Sequence, residues 1–581
     1  MTAVAAPPRV AGARGIGDMT QLLALAVVLL TSAVVLSLLA VVLWLSWTSG
    51  SPGDPALTYT TDNFVQVFSD QRTYTVLADT LLFSGWSLIV ALAFGIPAAW
   101  IAERTDFSAK TALFTLMAIG LLIPGFAAAM GWLFLLHPRI GLVNQFFIQV
   151  VGIGAPFNIM TIAGMGWVQG LNLAPLAFIM TAAVFRSMDP SLEEAAQMCG
   201  ADRSTTLRRI TLVLAWPGIL AASIYIFMIG FAAFDVPAII GWGNRLFTFS
   251  TFLYLLLNPQ DVLPSYGLAA ALSTVMIAIA GLASWWYAAM QGRSQRYAVV
   301  TGKAYRPRLV ALDRKSRILV WVFLGGYFLF SKIMPILLLV WASLLPFFQL
   351  PSARAFGVAG LGHYYNLPWE LILKAFANTS LLAVLTPTVT LAISLAFSWI
   401  VLRSQYPGRK TYDFVAFLPH AVPSVVFGVG ALLIALFVLQ RALPVYGTIW
   451  ILLIVFTISR ISYATRMTNS GLVQIHKELE ESAYMSGSSL RQALARVTLP
   501  LLTPTLLYAW LWIALMVFRE LTLAVILSTT DNITFPVLVW SLWLGGGLGQ
   551  ASALGVVMLV MMTPLIALYW LIARRQGIVG D

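Results

Sequence analysis

Long uninterrupted runs of apolar residues constrain this chain more than any other feature of its sequence. A helix that crosses about 30 Å of hydrocarbon needs about 20 mostly apolar residues, because no backbone amide can be left unpaired there. About twelve runs along the 581 residues are long enough, and only 10% of the residues are charged, so the sequence predicts an all-α membrane protein. The predicted spans lie near residues 21–46, 75–102, 111–136, 158–185, 210–240, 266–290, 318–346, 372–402, 413–440, 446–470, 501–529 and 549–574.

The positions of Lys and Arg predict the orientation of these spans. Loops on the cytoplasmic side of a membrane carry an excess of basic residues. With both termini cytoplasmic, basic residues on that side outnumber those outside by about four to one, so the sequence predicts a multi-pass protein with both termini inside. The net charge of +12 then reflects anchors that face anionic lipid, and no nucleic-acid partner is predicted.

The second half of the sequence repeats the first. Pairs at an offset of 299 residues are Thr80 with Thr379, Trp100 with Trp399, Arg104 with Arg403 and Pro124 with Pro423, and pairs at an offset of 287 residues are Glu194 with Glu481, Gly200 with Gly487, Ile210 with Val497 and Pro217 with Pro504. The change of offset predicts about twelve extra residues in the first half, in the loop around His137 to Asn158. Because each half holds six spans, an even number, the halves are predicted to be parallel six-helix repeats.

These repeats predict the division of the chain into domains. A cytoplasmic N-terminal tail covers residues 1–20 and the first repeat covers 21–290. A basic cytoplasmic linker follows at 291–317, and the second repeat covers 318–581.

Two polar stretches occupy equivalent positions in the two halves. Residues 191–210 read SLEEAAQMCGADRSTTLRRI, and residues 478–497 read ELEESAYMSGSSLRQALARV. Each is predicted to begin with a short helix whose early glutamates favour the positive end of the helix dipole. Gly200 and Gly487 are predicted to end these helices, because glycine adopts the left-handed conformation readily. In the first copy, Asp189 and Pro190 are suited to start the helix.

The spacing of these residues resembles the EAA loop of permease subunits in bacterial ABC importers. Val213 stands where that motif has proline, and Ser482 replaces an alanine, but both copies keep the glutamate and the glycine. The resemblance implies a type I ABC importer permease fold in which each short helix seats in a groove of a cytoplasmic ATPase. The residues implied in ATPase coupling are Glu193, Glu194, Ala195, Ala196, Gly200, Ala201, Glu480, Glu481, Ser482, Ala483, Gly487 and Ser488.

Two further segments resemble the fused, two-repeat permeases of ferric iron importers, with thiamine and aminoalkylphosphonate permeases as close cousins. They are FDVPAIIG at residues 234–241 and RELTL at residues 519–523. The resemblance implies a bacterial cytoplasmic (inner) membrane protein that imports ferric iron, with thiamine or an aminoalkylphosphonate as the alternative substrate. It also implies partners: two copies of a cytoplasmic ABC ATPase, an extracytoplasmic substrate-binding protein and the lipid bilayer.

The chain itself lacks a phosphate-binding loop. The nearest segment, Thr301-Gly302-Lys303, lacks the preceding glycine of that motif and the Ser or Thr after the lysine. ATP and magnesium are therefore expected on the partner ATPase, and this chain is expected to bind no cofactor and to be no enzyme. The expected mechanism is alternating access driven by closure of the ATPase subunits.

Three charged residues near the ends of apolar runs are candidates for the translocation path: Asp235, Arg519 and Glu520. Charges within spans are costly and often functional, so the two acids could attract a cation. The alternative is that each is a polar group at a helix end near the outer interface.

Two other classes of protein fit part of the sequence. An ion-coupled secondary transporter also has twelve spans in parallel halves, but residues 403–410 only faintly resemble its basic motif. A membrane enzyme would need a convergent catalytic set, and none is found; the one cysteine and four scattered histidines also predict no disulfide and no metal site. A requirement for ATP together with Glu194 and Glu481 would separate an ABC permease from both.

Overall fold

The computed structural model describes residues 19–49, 57–188, 191–259, 263–296, 309–440 and 442–575. Within these ranges ten helices are long and apolar enough to cross a membrane, and two bent pairs of helices can each supply one more. This confirms the prediction of an all-α membrane protein with about twelve spans. The ten helices are Met19–Leu45, Gln71–Arg104, Ile162–Ser187, Leu207–Ala232, Tyr266–Tyr287, Arg314–Leu344, Trp369–Leu402, Ile449–Gln474, Leu490–Phe518 and Leu548–Ile572.

The third and ninth predicted spans are broken rather than continuous. Lys110–Gly120 and Gly125–Leu136 meet at 96°, and Arg409–Ala421 and Ser424–Val438 meet at 100°. Pro124 and Pro423 stand immediately before the second helix of each pair, in extended conformations. Proline lacks an amide hydrogen and disfavours a helical conformation in the residue before it, so both repeats bend at the same point.

Two other spans end earlier than predicted. The fifth and eleventh spans stop at Ala232 and Phe518 rather than near residues 240 and 529. Asp235, Arg519 and Glu520 therefore lie just beyond helix ends and not within a span. Apolar residues continue past both ends, which is why hydropathy alone placed the boundaries too late.

Shorter elements connect the spans. They are the helices Asp62–Ser69, Leu142–Phe146, Phe147–Val151, Ser191–Met198, Arg203–Thr206, Pro237–Gly241, Trp242–Asn244, Phe249–Leu257, Ala353–Val358, Gly362–Tyr365, Lys477–Met485, Thr522–Leu527 and Phe535–Leu544, and the antiparallel strands Thr48–Ser49 and Thr58–Tyr59. Leu142–Phe146 and Phe147–Val151 lie in the loop where the sequence predicts extra residues.

Equivalent residues of the two halves make equivalent contacts. The Thr80 hydroxyl accepts a hydrogen bond from the Phe249 amide at 2.9 Å. The Thr379 hydroxyl accepts one from the Phe535 amide at 2.8 Å. In both halves a threonine of the second span thus anchors the start of a short apolar helix.

The described residues pack as two compact units. The smaller unit comprises residues 19–37, 387–420 and 457–510, and its core holds Phe397 and Ile461. The larger unit comprises the other described residues, and one of its cores holds Leu173 and Ile226. Residues 1–18 of the predicted tail and residues 297–308 of the predicted linker lie outside the described residues.

The described end of the linker pairs with the residues that follow the second span. Val310 forms a parallel bridge with Thr105; its amide donates to the Arg104 carbonyl at 2.9 Å and its carbonyl accepts from the Asp106 amide at 3.1 Å. The Leu312 amide adds a hydrogen bond to the Asp106 carboxylate at 2.9 Å. The linker is therefore attached to the cap of the second span within the larger unit.

Candidate functional site

The two polar stretches form matching loops, which we name loop 1 (residues 191–211) and loop 2 (residues 477–498). Each begins with a short helix, Ser191–Met198 in loop 1 and Lys477–Met485 in loop 2. Gly200 and Gly487 have φ of 85° and 82°, which confirms the predicted left-handed helix ends. Asp189 and Pro190, predicted to start the first helix, lie outside the described residues.

The two helix ends share one hydrogen-bonding pattern. The Ala201 amide donates to the Ala196 carbonyl at 3.0 Å, and the Ser488 amide donates to the Ala483 carbonyl at 3.0 Å. These amide-to-carbonyl hydrogen bonds satisfy carbonyls at the end of the short helix that the helix itself leaves unpaired. Four of the residues predicted for coupling therefore shape the end of the short helix.

Each loop returns to a membrane-spanning helix through a wide turn. Leu207–Thr211 in loop 1 and Leu494–Thr498 in loop 2 are π-helical turns of five residues. In loop 2, Ser489 caps the start of the helical turn Leu490–Ala493, which leads into the π-helical turn. The Ser489 and Gln492 side chains each accept a hydrogen bond from the backbone amide of the other residue. Both π-helical turns end at a threonine that points back to the short helix of its own loop.

In loop 2 that threonine meets a buried ion pair, which we name the loop 2 joint (Arg403, Glu480 and Thr498). The Arg403 Nε lies 3.3 Å from Glu480 Oε1, and both side chains are buried. The Thr498 hydroxyl donates to the same oxygen at 3.1 Å. Arg403 Nη2 also donates to the carbonyls of Leu472 and Ile475, at 3.0 and 2.7 Å. The buried guanidinium therefore donates hydrogen bonds to a carboxylate and to two backbone carbonyls.

Loop 1 holds the equivalent residues, the loop 1 joint (Arg104, Glu193 and Thr211). The Thr211 hydroxyl donates to Glu193 Oε1 at 2.8 Å. Arg104 Nη2 lies 3.8 Å from the same oxygen, which is beyond hydrogen-bonding distance. Arg104 is only 5% exposed, yet among the described residues neither its Nε nor its Nη2 has a hydrogen-bond partner. The ion pair is present in both loops but is hydrogen-bonded only in loop 2.

The twelve residues predicted for coupling differ in exposure. Ala195, Gly200, Glu481, Ser482 and Gly487 are exposed; Glu193, Glu194, Ala196, Ala201, Ala483 and Ser488 are half-buried; Glu480 is buried. The residue-level prediction did not anticipate that adjacent glutamates of loop 2 face different environments.

Four exposed apolar residues of the short helices were also missed. Met198 and Met485 are 86% and 81% exposed, and Leu192 and Leu479 are exposed as well. Each pair is separated by the offset of 287 residues that relates the two loops. That repeated spacing could have identified them, because apolar residues at matched exposed positions indicate a shared contact surface.

The three predicted path residues lie near one bend of the larger unit, the break after Gly120. Arg519 Nη1 donates to the Ile123 carbonyl at 2.9 Å. Asp235 lies against Gly125, where a Cβ atom would come within 3.1 Å of its Oδ2. Asp235 also interacts electrostatically with Glu520 and Arg519. The structure therefore brings charges from both repeats to the broken third span.

A fourth charged residue, Lys332, belongs to the same neighbourhood. It is buried, its Nζ lies 3.4 Å from Asn172 Oδ1, and its Cε is next to Gly120. Sequence reasoning missed it as part of the group, since its equivalent in the first half is Ala33. In the described ranges, no three His, Cys, Asp or Glu side chains are grouped so that they could hold a metal ion.

Both halves of the chain are similar to known membrane transport proteins. Residues 91–296 and 388–577 match the family model described as binding-protein-dependent transport system inner membrane component. The ferric transport system permease protein FbpB of Actinobacillus pleuropneumoniae is 26% identical over 547 residues, 90% of this chain and 74% of that protein. The putative ferric transport system permease protein FbpB 1 of Haemophilus influenzae is 24% identical, over 82% of this chain and 73% of that protein.

A shorter relative matches part of the chain. The putative 2-aminoethylphosphonate transport system permease protein PhnV of Salmonella paratyphi A is 30% identical over 40% of this chain and 91% of its own length. Because the family model matches once in each half, the prediction of two related repeats is confirmed.

Proposed function

The chain belongs to the family of binding-protein-dependent transport system inner membrane components, and from this we propose that it is the permease of an ATP-driven importer. Loops 1 and 2 would couple the helix bundles to cytoplasmic ATPase subunits. The observation that carries the proposal is the twin arrangement of the loops, in which equivalent short helices end at equivalent left-handed glycines. Two matching loops call for two copies of the ATPase.

The exposed faces of the short helices support this docking role. Met198 and Leu192 on one loop match Met485 and Leu479 on the other, and methionine is a flexible apolar residue suited to a groove in a partner. Glu481 is also exposed, on the short helix of loop 2 that carries Leu479 and Met485. We expect ATP and magnesium to be held by the ATPase, with loops 1 and 2 and both termini on the cytoplasmic side.

For the substrate we propose ferric iron. Two relatives that cover most of this chain are named as ferric transport permeases, whereas the phosphonate permease covers 40% of it. A 2-aminoethylphosphonate is the second candidate on the strength of that relative, and thiamine remains an alternative from the sequence resemblance alone. The family description also supports an extracytoplasmic binding protein as the partner that delivers the substrate.

The charged group at the bend is a candidate lining of the translocation path. Asp235 and Glu520 share this region with Arg519 and Lys332, so the four side chains carry no net charge when all are ionised. A neutral group attracts a cation weakly compared with a pair of acids alone. We therefore propose that these residues line the translocation path beside the broken span as a charge-balanced group rather than as a cation-binding site.

Pull-down from mild detergent with mass spectrometry tests the coupling role. Wild type would be compared with Met198→Asp/Met485→Asp, which places charges on the proposed docking surface. Leu263→Asp is the control, because Leu263 is 88% exposed and lies outside both loops. We expect an ABC ATPase with wild type and with the control, and its loss from the double variant. If no ATPase is recovered even after crosslinking, an ion-coupled secondary transporter becomes the better account.

Uptake assays then test the substrate. The complex recovered with its binding protein would be reconstituted in vesicles and supplied with labelled ferric iron, 2-aminoethylphosphonate or thiamine. We expect ATP-dependent uptake of iron alone. Uptake of the phosphonate without iron would overturn the substrate assignment and leave the transport mechanism intact.

A further inference from the structure

We propose that Arg403 and Arg104 are positioning residues that hold the short helices of loops 2 and 1, each through the first glutamate of its Glu-Glu pair. The inference rests on the function proposed for these loops. It assigns different roles to adjacent residues: Glu480 is held inside the loop 2 joint, and Glu481 is available to the partner. The loop 1 joint assigns Glu193 the same inward role.

The geometry of a helix requires this separation. Neighbouring residues on an α-helix point about 100° apart, so they cannot both face the same side. Glu480 is buried against Arg403, and Glu481 is exposed one position later. The sequence resemblance emphasises Glu481, but the ion pair is made by the glutamate before it.

The loop 2 joint gathers four elements around one ion pair, formed by Arg403 and Glu480. Arg403 directly follows the helix Trp369–Leu402, and Glu480 belongs to Lys477–Met485. Thr498 ends a π-helical turn, and the two accepting carbonyls lie where Ile449–Gln474 finishes. A displacement of the short helix must therefore either carry the ends of these spans with it or break buried hydrogen bonds. This is the property that a mechanical link between a docked partner and the spans requires.

The repeat supplies a second, independent instance. Arg104, Glu193 and Thr211 occupy the same positions in loop 1, and Thr211 donates to Glu193 as Thr498 does to Glu480. The same three residue types at equivalent positions of the two repeats argue that the joint is a built feature of both loops. Solvent and salt screen such buried contacts much less than they screen surface ion pairs.

The inference is tested by the mobility of a nitroxide on the short helix, in the full chain in lipid nanodiscs. Cys199 is the one cysteine of the chain and is exposed, so it reports on loop 1 directly. Ser486→Cys in a Cys199→Ser background places the probe at the equivalent position of loop 2. Glu480→Gln would remove the charge of the joint, and Glu481→Gln is the matched control one residue away.

We expect Glu480→Gln to increase the rotational mobility of the probe at residue 486 at least about twofold, and Glu481→Gln to leave it unchanged. Arg403→Lys keeps the charge but cannot make the same set of hydrogen bonds, so it should give an intermediate value. Both glutamine variants would then be titrated with the co-purified ATPase. Glu481→Gln should weaken ATPase binding. Glu480→Gln should still bind the ATPase at saturating concentration, but ATP should no longer change the mobility of its probe.

The outcomes separate this inference from the function on which it rests. Equal probe mobility in wild type and Glu480→Gln would overturn the positioning role, whether or not an ATPase binds. Increased mobility in Glu480→Gln without any ATPase binding to wild type would keep the joint and overturn the coupling function. Misfolding of Glu480→Gln would leave Arg403→Lys and Thr498→Val as the variants that decide the same question.

Discussion

Loops 1 and 2 have matching residues at matching positions, but they do not make the same contacts. In loop 2 the ion pair is hydrogen-bonded at 3.3 Å and the arginine also binds two backbone carbonyls. In loop 1 the corresponding atoms are 3.8 Å apart. The difference shows that a repeated sequence specifies which residues meet, whereas the surrounding backbone determines how firmly they are held.

The two joints also differ in what is attached to the arginine. Arg104 accepts a hydrogen bond from the linker through its backbone carbonyl, and the linker continues into the first span of the second repeat. Arg403 instead uses its side chain to bind carbonyls at the end of another span. Loop 2 is therefore held by side-chain contacts, and loop 1 combines a looser ion pair with an attachment to the linker.

The strongest way to break this comparison is to remove the two arginines in turn. Arg403→Gln leaves Glu480 buried without its counter-charge, which should cost about 3–5 kcal/mol of local stability. Arg104→Gln should cost less, about 1–3 kcal/mol, because Arg104 lies 3.8 Å from Glu193 without a hydrogen bond and Glu193 is only half-buried. Hydrogen exchange of the amides in each loop measures both costs, since it reports local opening. Arg491→Gln, a loop 2 residue outside the joint, is the control.

Equal costs for the two arginines would contradict the difference between the joints. A larger cost for Arg104→Gln would place the firmer joint in loop 1 and reverse the comparison.

The threonines should show the opposite order. Thr211→Val removes the one hydrogen bond that Glu193 makes to another side chain in the described part of the chain, at a cost of about 1.5–3 kcal/mol. Thr498→Val should cost about 1 kcal/mol, because Arg403 still binds Glu480. The same exchange measurement applies, with Thr→Ser at each position as the control that keeps the hydroxyl. If Thr498→Val proved the more costly, the hydroxyl rather than the arginine would be the main support of Glu480.

The glycines sharpen the comparison by showing where the loops are alike. Gly200 and Gly487 have nearly the same positive φ, and a Cβ atom at either would meet no atom within 4 Å. Alanine at each position should therefore cost about 1–2 kcal/mol through backbone strain alone, and equally in both loops. Asparagine, which tolerates this conformation better, is the control. Hydrogen exchange of the short-helix amides measures this cost in each loop. Unequal costs would mean that the loops differ beyond their joints.

The sequence predicted the loops well because a repeat is visible along the chain. The offset of 287 residues identifies both short helices, and each glycine marks a helix end by its own conformational preference. The family and the approximate number of spans follow from equally local information. These features need no knowledge of which distant residues meet.

The joints could not be predicted in the same way. Arg403 and Glu480 are 77 residues apart, and the choice between Glu480 and Glu481 depends on how the short helix is rotated about its axis. The bend at Pro124 was missed for a related reason, because hydropathy counts apolar residues and does not detect a break between two short apolar helices. Lys332 is far in sequence from the other charged residues at that bend, and only the folded structure shows that it lies beside them.

The smallest predicted effect isolates the attachment of the linker to Arg104, a residue of the loop 1 joint. Val310→Pro removes the amide that donates to the Arg104 carbonyl, so it should cost about 0.5–1.5 kcal/mol, whereas Val310→Ala keeps that amide and should cost little. Nitroxide mobility at Cys199 should rise in Val310→Pro, while mobility at residue 486 should stay unchanged, since the hydrogen bonds of the described linker residues are made to the cap of the second span. A rise at both probes would mean that the linker steadies the whole bundle. A rise at Cys199 alone would mean that attachment of the second repeat supports the loop whose ion pair is the weaker one.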